Sequence, residues 1–114
     1  MTTQSASSIC WTASKEAINL SAEKTQAEIE KERLLNLGLV RLIEIVGEAA
    51  GRVSAEGLSK YRGIPWIQII GMRNRLIHGY DNIDFGILYK TITEDLPPLV
   101  AELENILRTD QKDR

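Results

Sequence analysis

Residues 73–80 bring together Arg73, Asn74, Arg75, His78 and Tyr80, and His78 is the only histidine in the chain. An imidazole moves protons near neutral pH. A guanidinium grips a phosphate through a bidentate fork. A cation, an acid–base group and a phenol at this spacing form a kit for phosphodiester chemistry. RNA carries its own nucleophile, the 2′-hydroxyl. A ribonuclease that works without metal therefore needs a base for that proton, an acid for the leaving 5′-oxygen, and cations for the charge that builds on phosphorus. His78 can act as base or acid, with Arg73 holding the phosphate. One histidine cannot easily make both transfers at once. A symmetric homodimer that brought two His78 side chains to one cleft would solve this.

Spacing constrains how these groups meet. Arg73 and His78 are five residues apart, so on an ideal helix they diverge by about 140°. Asn74 lies four residues before His78 and shares its face, and Arg75, three before, roughly aligns with it. Gly79 is a helix stop signal. A helix that ends before His78 frees the imidazole from the helical direction, and Asn74 can then orient it. The surrounding charge is favourable: from Arg52 to Tyr80 the cations Arg52, Lys60, Arg62, Arg73 and Arg75 face a single acid, Glu56. A plainer account also fits. A histidine at a helix end can interact with the last carbonyls, the arginines can be solvated charges, and Tyr80 can be a packing residue. Composition and spacing alone favour that plainer account.

The elements that must carry these residues read as helical. The chain has 114 residues, 43% of them hydrophobic, which is enough for one domain with a core and too few for two. Aromatics are 5%, so the core is aliphatic. A net charge of -2 argues against a general nucleic-acid binder but leaves room for a local basic cleft. The lone Cys10 cannot form an internal disulfide and suits a reducing cytoplasm, with a buried inert thiol favoured over a reactive one. One His and one Cys leave no Cys/His metal site, and no metal or other cofactor is expected. No signal peptide and no membrane span are expected.

Residues 1–8 are polar and are expected to be disordered, ahead of a single helical domain over 9–108 and a charged tail over 109–114. A first helix is predicted from Ile9 to about Leu20 on the apolar positions Ile9, Ala13, Ala17, Ile18 and Leu20, with Trp11 helping to anchor it. Thr25 and Glu28 match a capping box. The strongest periodicity runs from Leu34 to Ala50, with Leu35, Leu39, Leu42, Ile43, Val46 and Ala50 at three- and four-residue steps. Leu34, Leu37, Val40 and Ile45 widen its apolar surface, so this helix is expected to be central, and Gly47 inside it implies close helix–helix packing. A loop over residues 54–64 precedes a helix opening at Pro65, with Trp66, Ile69, Ile70, Leu76 and Ile77 as apolar members. Asp84 is a candidate N-cap for a helix over Phe85–Ile92. Pro97 and Pro98 must kink or break whatever helix reaches them. Leu99, Leu103, Ile106 and Leu107 form a last amphipathic segment. The expected fold is an all-α antiparallel up-and-down bundle of four or five helices.

The stretch from Ile64 to Tyr80 resembles the bacterial HEPN ribonuclease toxins of the HepT-like family, whose signature is Arg, four residues, His, one residue, Tyr. Arg73, His78 and Tyr80 match it in order and spacing. Residues 41–50 resemble the family's central helix and residues 95–99 its last, so the likeness spans about Ala17 to Leu107. The first fifteen or so residues match poorly, with Cys10 and Trp11 in place of a more charged helix. The resemblance implies a five-helix HEPN bundle that dimerises. It implies a metal-independent endoribonuclease in which Arg73 and His78 cleave and Asn74 supports them, leaving a 2′,3′-cyclic phosphate or its opened product. It implies a type VII-like toxin–antitoxin pair, with a minimal nucleotidyltransferase as antitoxin partner. In some such systems that partner AMPylates the signature tyrosine, here Tyr80. mRNA and tRNA are both implied as targets, with tRNA preferred. The competing expectation is a non-catalytic helical subunit that docks to such a transferase and contributes to a nucleotide site.

Overall fold

A computed structural model describes residues 3–52, 67, 69–71, 76 and 82–112 of the chain. Its elements are α1 (Thr3–Ser21), α2 (Gln26–Lys31), α3 (Arg33–Ala50), α4 (Phe85–Lys90), a π-helical turn (Thr91–Asp95) and α5 (Leu96–Lys112). Ile67, Ile69, Ile70, Gly71 and Leu76 are helical as well. Every element among the described residues is helical, so the all-α expectation holds.

The first helix starts at Thr3, not Ile9, and its buried stripe is not the one that aliphatic periodicity suggests. Ala6, Cys10, Ala13 and Ala17 are buried, together with Ser7, Ser14 and Ser21, while Ile9 and Leu20 are 37% and 46% exposed. The steps of three and four along Ala6–Cys10–Ala13–Ala17–Ser21 keep one narrow face of small residues inward. Small side chains let α1 lie close against both α3 and α5, its two principal neighbours. The Cys10 thiol donates to the Val46 carbonyl of α3 at 3.3 Å. On the α5 side, Trp11 Nε1 donates to Glu104 Oε1 at 3.2 Å, and the Lys15 ammonium lies 4.9 Å from the centre of the same indole ring. Trp11 therefore anchors α1, as expected.

The α1–α2 turn contains Glu23 in the left-handed region at φ 63°. Thr25 then caps α2 through the expected box: the Glu28 N–H donates to Thr25 Oγ1 at 3.2 Å, and the Thr25 N–H donates to Glu28 Oε1 at 3.0 Å. At Glu32 the backbone turns extended (φ -91°, ψ 91°), separating α2 from α3. Asn36, buried in α3, closes that break by donating to the carbonyls of Ile29 at 3.1 Å and Glu30 at 3.3 Å. These are carbonyls that the end of α2 leaves without intrahelical partners.

Among the described elements α1, rather than the expected α3, is the central one, packing against both α3 and α5. Leu39, Val40, Leu42, Ile43, Val46, Ala49 and Ala50 of α3 are buried and share one core with Leu96, Leu99, Leu103 and Ile106 of α5 and Leu88 of α4. Leu34 and Leu37 do not join it, at 88% and 40% exposed. They sit in the first turns of α3, away from the buried stripe.

Pro97 and Pro98 neither break nor stop the helix. The chain stays helical from Phe85 to Lys112 by passing through the π turn. The Leu96 N–H reaches back five residues to the Thr91 carbonyl. A π turn inserts one extra residue in the helical register, here immediately before the two residues that have no N–H to donate. The last helix also runs on through residues 109–112 of the charged stretch.

Candidate functional site

Ile69, just before the signature, and Leu76, inside it, are both held in place. Ile69 and Leu76 are seven apart, close to two helical turns, and both are fully or almost fully buried. Ile67 and Ile70, by contrast, are 85% and 44% exposed, so Ile70 is not the core member its type suggested. On one side α3 comes close: a Cβ placed on Gly47 would stand 3.3 Å from the Ile69 carbonyl oxygen and 3.6 Å from that of Ile70. This is the tight helix packing expected at Gly47. On the other side the Asp84 N–H donates to the Leu76 carbonyl at 2.7 Å. Asp84 also caps α4, accepting from the Ile87 N–H at 3.0 Å. One residue thus ties the segment just before His78 to the start of α4.

Arg73, Asn74, Arg75, His78 and Tyr80 themselves lie outside the described residues, as does the expected loop over residues 54–64. Of the five cations expected around a basic cleft, only Arg52 is described, exposed just after α3.

Other groups with chemical potential are poorly placed for catalysis. Burial pushes the Cys10 thiol up to about 12, so it is a neutral, weak nucleophile at physiological pH. An open groove of about 260 Å³ between α1 and α3 is lined by Ser8, Ile9, Thr12, Ala13, Glu16, Leu42 and Ile45. It offers one carboxylate and no cation, so it lacks a group to hold the phosphate in phosphodiester cleavage. Among the described residues no group of His, Cys, Asp and Glu could hold a metal ion, and no helix is long and apolar enough to cross a membrane.

Residues 12–106 match the family model described as Ribonuclease HepT-like. The chain belongs to the HepT-like ribonuclease family. This HepT-like chain is 34% identical over 77 residues to a Methanocaldococcus jannaschii protein named "Putative RNase", covering 68% of this chain and 71% of that one. It is 35% identical over 81 residues to a Caldanaerobacter subterraneus protein of the same name, covering 71% and 72%. It is 33% identical over 95 residues to a Thermococcus cleftensis protein named "Probable ribonuclease HepT", covering 80% and 86%. No solved structure matches it. The family match contains every residue of the signature and both of its anchors, and it begins at Thr12, inside α1.

The role of Asp84 is the part of this arrangement that sequence reasoning missed. Its capping function is readable from residue type, but the backbone bond from Asp84 to Leu76 joins residues eight apart and has no side-chain signature.

Proposed function

We propose that this chain is a metal-independent endoribonuclease whose chemistry is carried by Arg73 and His78. The observation that supports it most is the ribonuclease-family match over residues 12–106, inside which Arg73, His78 and Tyr80 keep the family spacing. In the reaction a base takes the 2′-hydroxyl proton and the freed oxygen attacks the adjacent phosphorus. The bond to the 5′-oxygen breaks, and an acid returns a proton to that leaving group. The product carries a 2′,3′-cyclic phosphate and the other fragment a 5′-hydroxyl. Arg73 neutralises charge on the non-bridging oxygens, where a fixed guanidinium is most effective because the charge peaks in the transition state. His78 serves one proton transfer, and the His78 of a second copy in a symmetric dimer serves the other. Asn74 orients the imidazole and Arg75 adds positive field. The substrate is cellular RNA, with tRNA the preferred class, and the setting is the cytoplasm.

The same reading makes the protein the toxin of a type VII-like pair whose antitoxin is a minimal nucleotidyltransferase. The Tyr80 phenol oxygen attacks the α-phosphorus of ATP, pyrophosphate leaves, and the phenol proton passes to solvent. The product puts bulk and negative charge two residues from His78, which repels an RNA phosphate.

Incubating purified protein with total RNA in the presence of a chelator, beside His78→Ala and Arg73→Ala, tests the nuclease. Wild type should cut and both variants should lose at least about 10²-fold in rate, the scale of a positioned acid–base group. The same RNA pattern from wild type and His78→Ala would reject the enzyme and favour a non-catalytic subunit. Co-expression with the cognate transferase should raise the mass by one or more AMP units, and Tyr80→Phe should abolish that rise.

A further inference from the structure

We propose that Gly47 is a positioning residue for the catalytic segment: its missing side chain fixes how closely α3 holds the backbone that leads into Arg73. This rests on the assignment of cleavage to Arg73 and His78.

Gly47 is buried in the last turn of α3, and a glycine within a helix costs up to about 1 kcal/mol of stability relative to alanine. The groups it faces are backbone, the carbonyl oxygens of Ile69 and Ile70, which would lie 3.3 and 3.6 Å from an added Cβ. A carbonyl cannot rotate away as a flexible side chain can, so a methyl at 47 must move the helical backbone by a few tenths of an ångström. The far end of the segment cannot follow freely, because Leu76 is fully buried and its carbonyl is bonded to the Asp84 N–H at 2.7 Å. Ile69 and Leu76 flank Arg73, Asn74 and Arg75 in sequence, so a shift at the first with the second held bears on the stretch of chain that carries them. Small misplacements of catalytic groups cost rate steeply.

α3 contains its own control. Gly38 lies in the same helix, and among the described residues nothing lies within 4 Å of an added Cβ. Gly38→Ala gains helix propensity and meets none of the described residues.

The test compares wild type, Gly47→Ala, Gly38→Ala and His78→Ala for thermal unfolding and for steady-state cleavage of one RNA. Gly47→Ala should remain folded, with its midpoint close to that of wild type, because helix propensity offsets the tight contact. Its kcat should fall about threefold to tenfold, on the scale that misplaced groups show, while KM changes little. Gly38→Ala should keep the wild-type kcat. Gly47→Ala with wild-type kcat, or a loss no larger than its drop in folded fraction, would overturn the proposal. A wild type no more active than His78→Ala would instead reject the assignment of the site, so the two failures are distinct. Should Gly47→Ala fail to fold, Gly47→Ala in the Gly38→Ala background, which adds helix propensity, gives the same comparison against Gly38→Ala alone. Equal kcat at equal folded fraction would again overturn it.

Discussion

Cys10 is fully buried on α1, its thiol on the Val46 carbonyl, and that placement has a consequence in solution. Burial raises the folded pKa from 9.0 to about 12. Below 9 both states hold the proton and pH has no effect through this group. Between 9 and 12 the unfolded chain loses the proton and the folded chain keeps it, so stability falls as pH rises, by about 1.4 kcal/mol per unit. Chemical denaturation at pH 8 and pH 10 should show a steeper loss for wild type than for Cys10→Ala; equal losses would mean that the thiol is not protected. Sequence reasoning favoured an inert Cys10 because a free cysteine is more often a small buried hydrophobe than a reactive thiol. Residue types also suggested a site at residues 73–80, but they left the direction of His78 open, since spacing on an ideal helix separates it from Arg73. Family membership, not spacing, tips that balance toward catalysis.

Capping is where residue chemistry becomes an element. The reciprocal bonds of Thr25 and Glu28 satisfy two of the N–H groups at the start of α2, one of them Thr25's own. The bond to the Thr25 backbone N–H is also the main reason the Glu28 carboxyl sits below its usual range. Thr25→Ala should lower stability by about 1 kcal/mol, read as a shift of the denaturation midpoint, with RNA cleavage rate unchanged because α2 contributes no signature residue. Both caps, Thr25 and Asp84, were legible because capping is local and side-chain encoded. Two features were not. The start of α1 at Thr3 escaped because Ser7 and Ser14 pack by being small rather than by being apolar. The π turn escaped because a diproline specifies only what the backbone cannot donate, not whether the chain answers with a break or with a change of register. Leu34 and Ile70 mark the converse limit: apolar type alone does not say whether a side chain reaches the core.

At the scale of the whole molecule, the small-residue face of α1 closes the bundle against α3 and α5, and Gly47 and Asp84 hold the segment that leads to the signature. Our account needs a second copy to supply a second imidazole. Sedimentation should therefore give twice the chain mass at the concentrations where RNA is cut, and full activity from a monomer would contradict the two-histidine scheme. The most direct measurement of the central claim is analysis of the RNA ends made by wild type and His78→Ala in the presence of a chelator. The account predicts 2′,3′-cyclic phosphate and 5′-hydroxyl ends from wild type and none above background from His78→Ala. Identical cleavage by the two proteins, or cleavage by wild type that vanishes with the chelator, would contradict it.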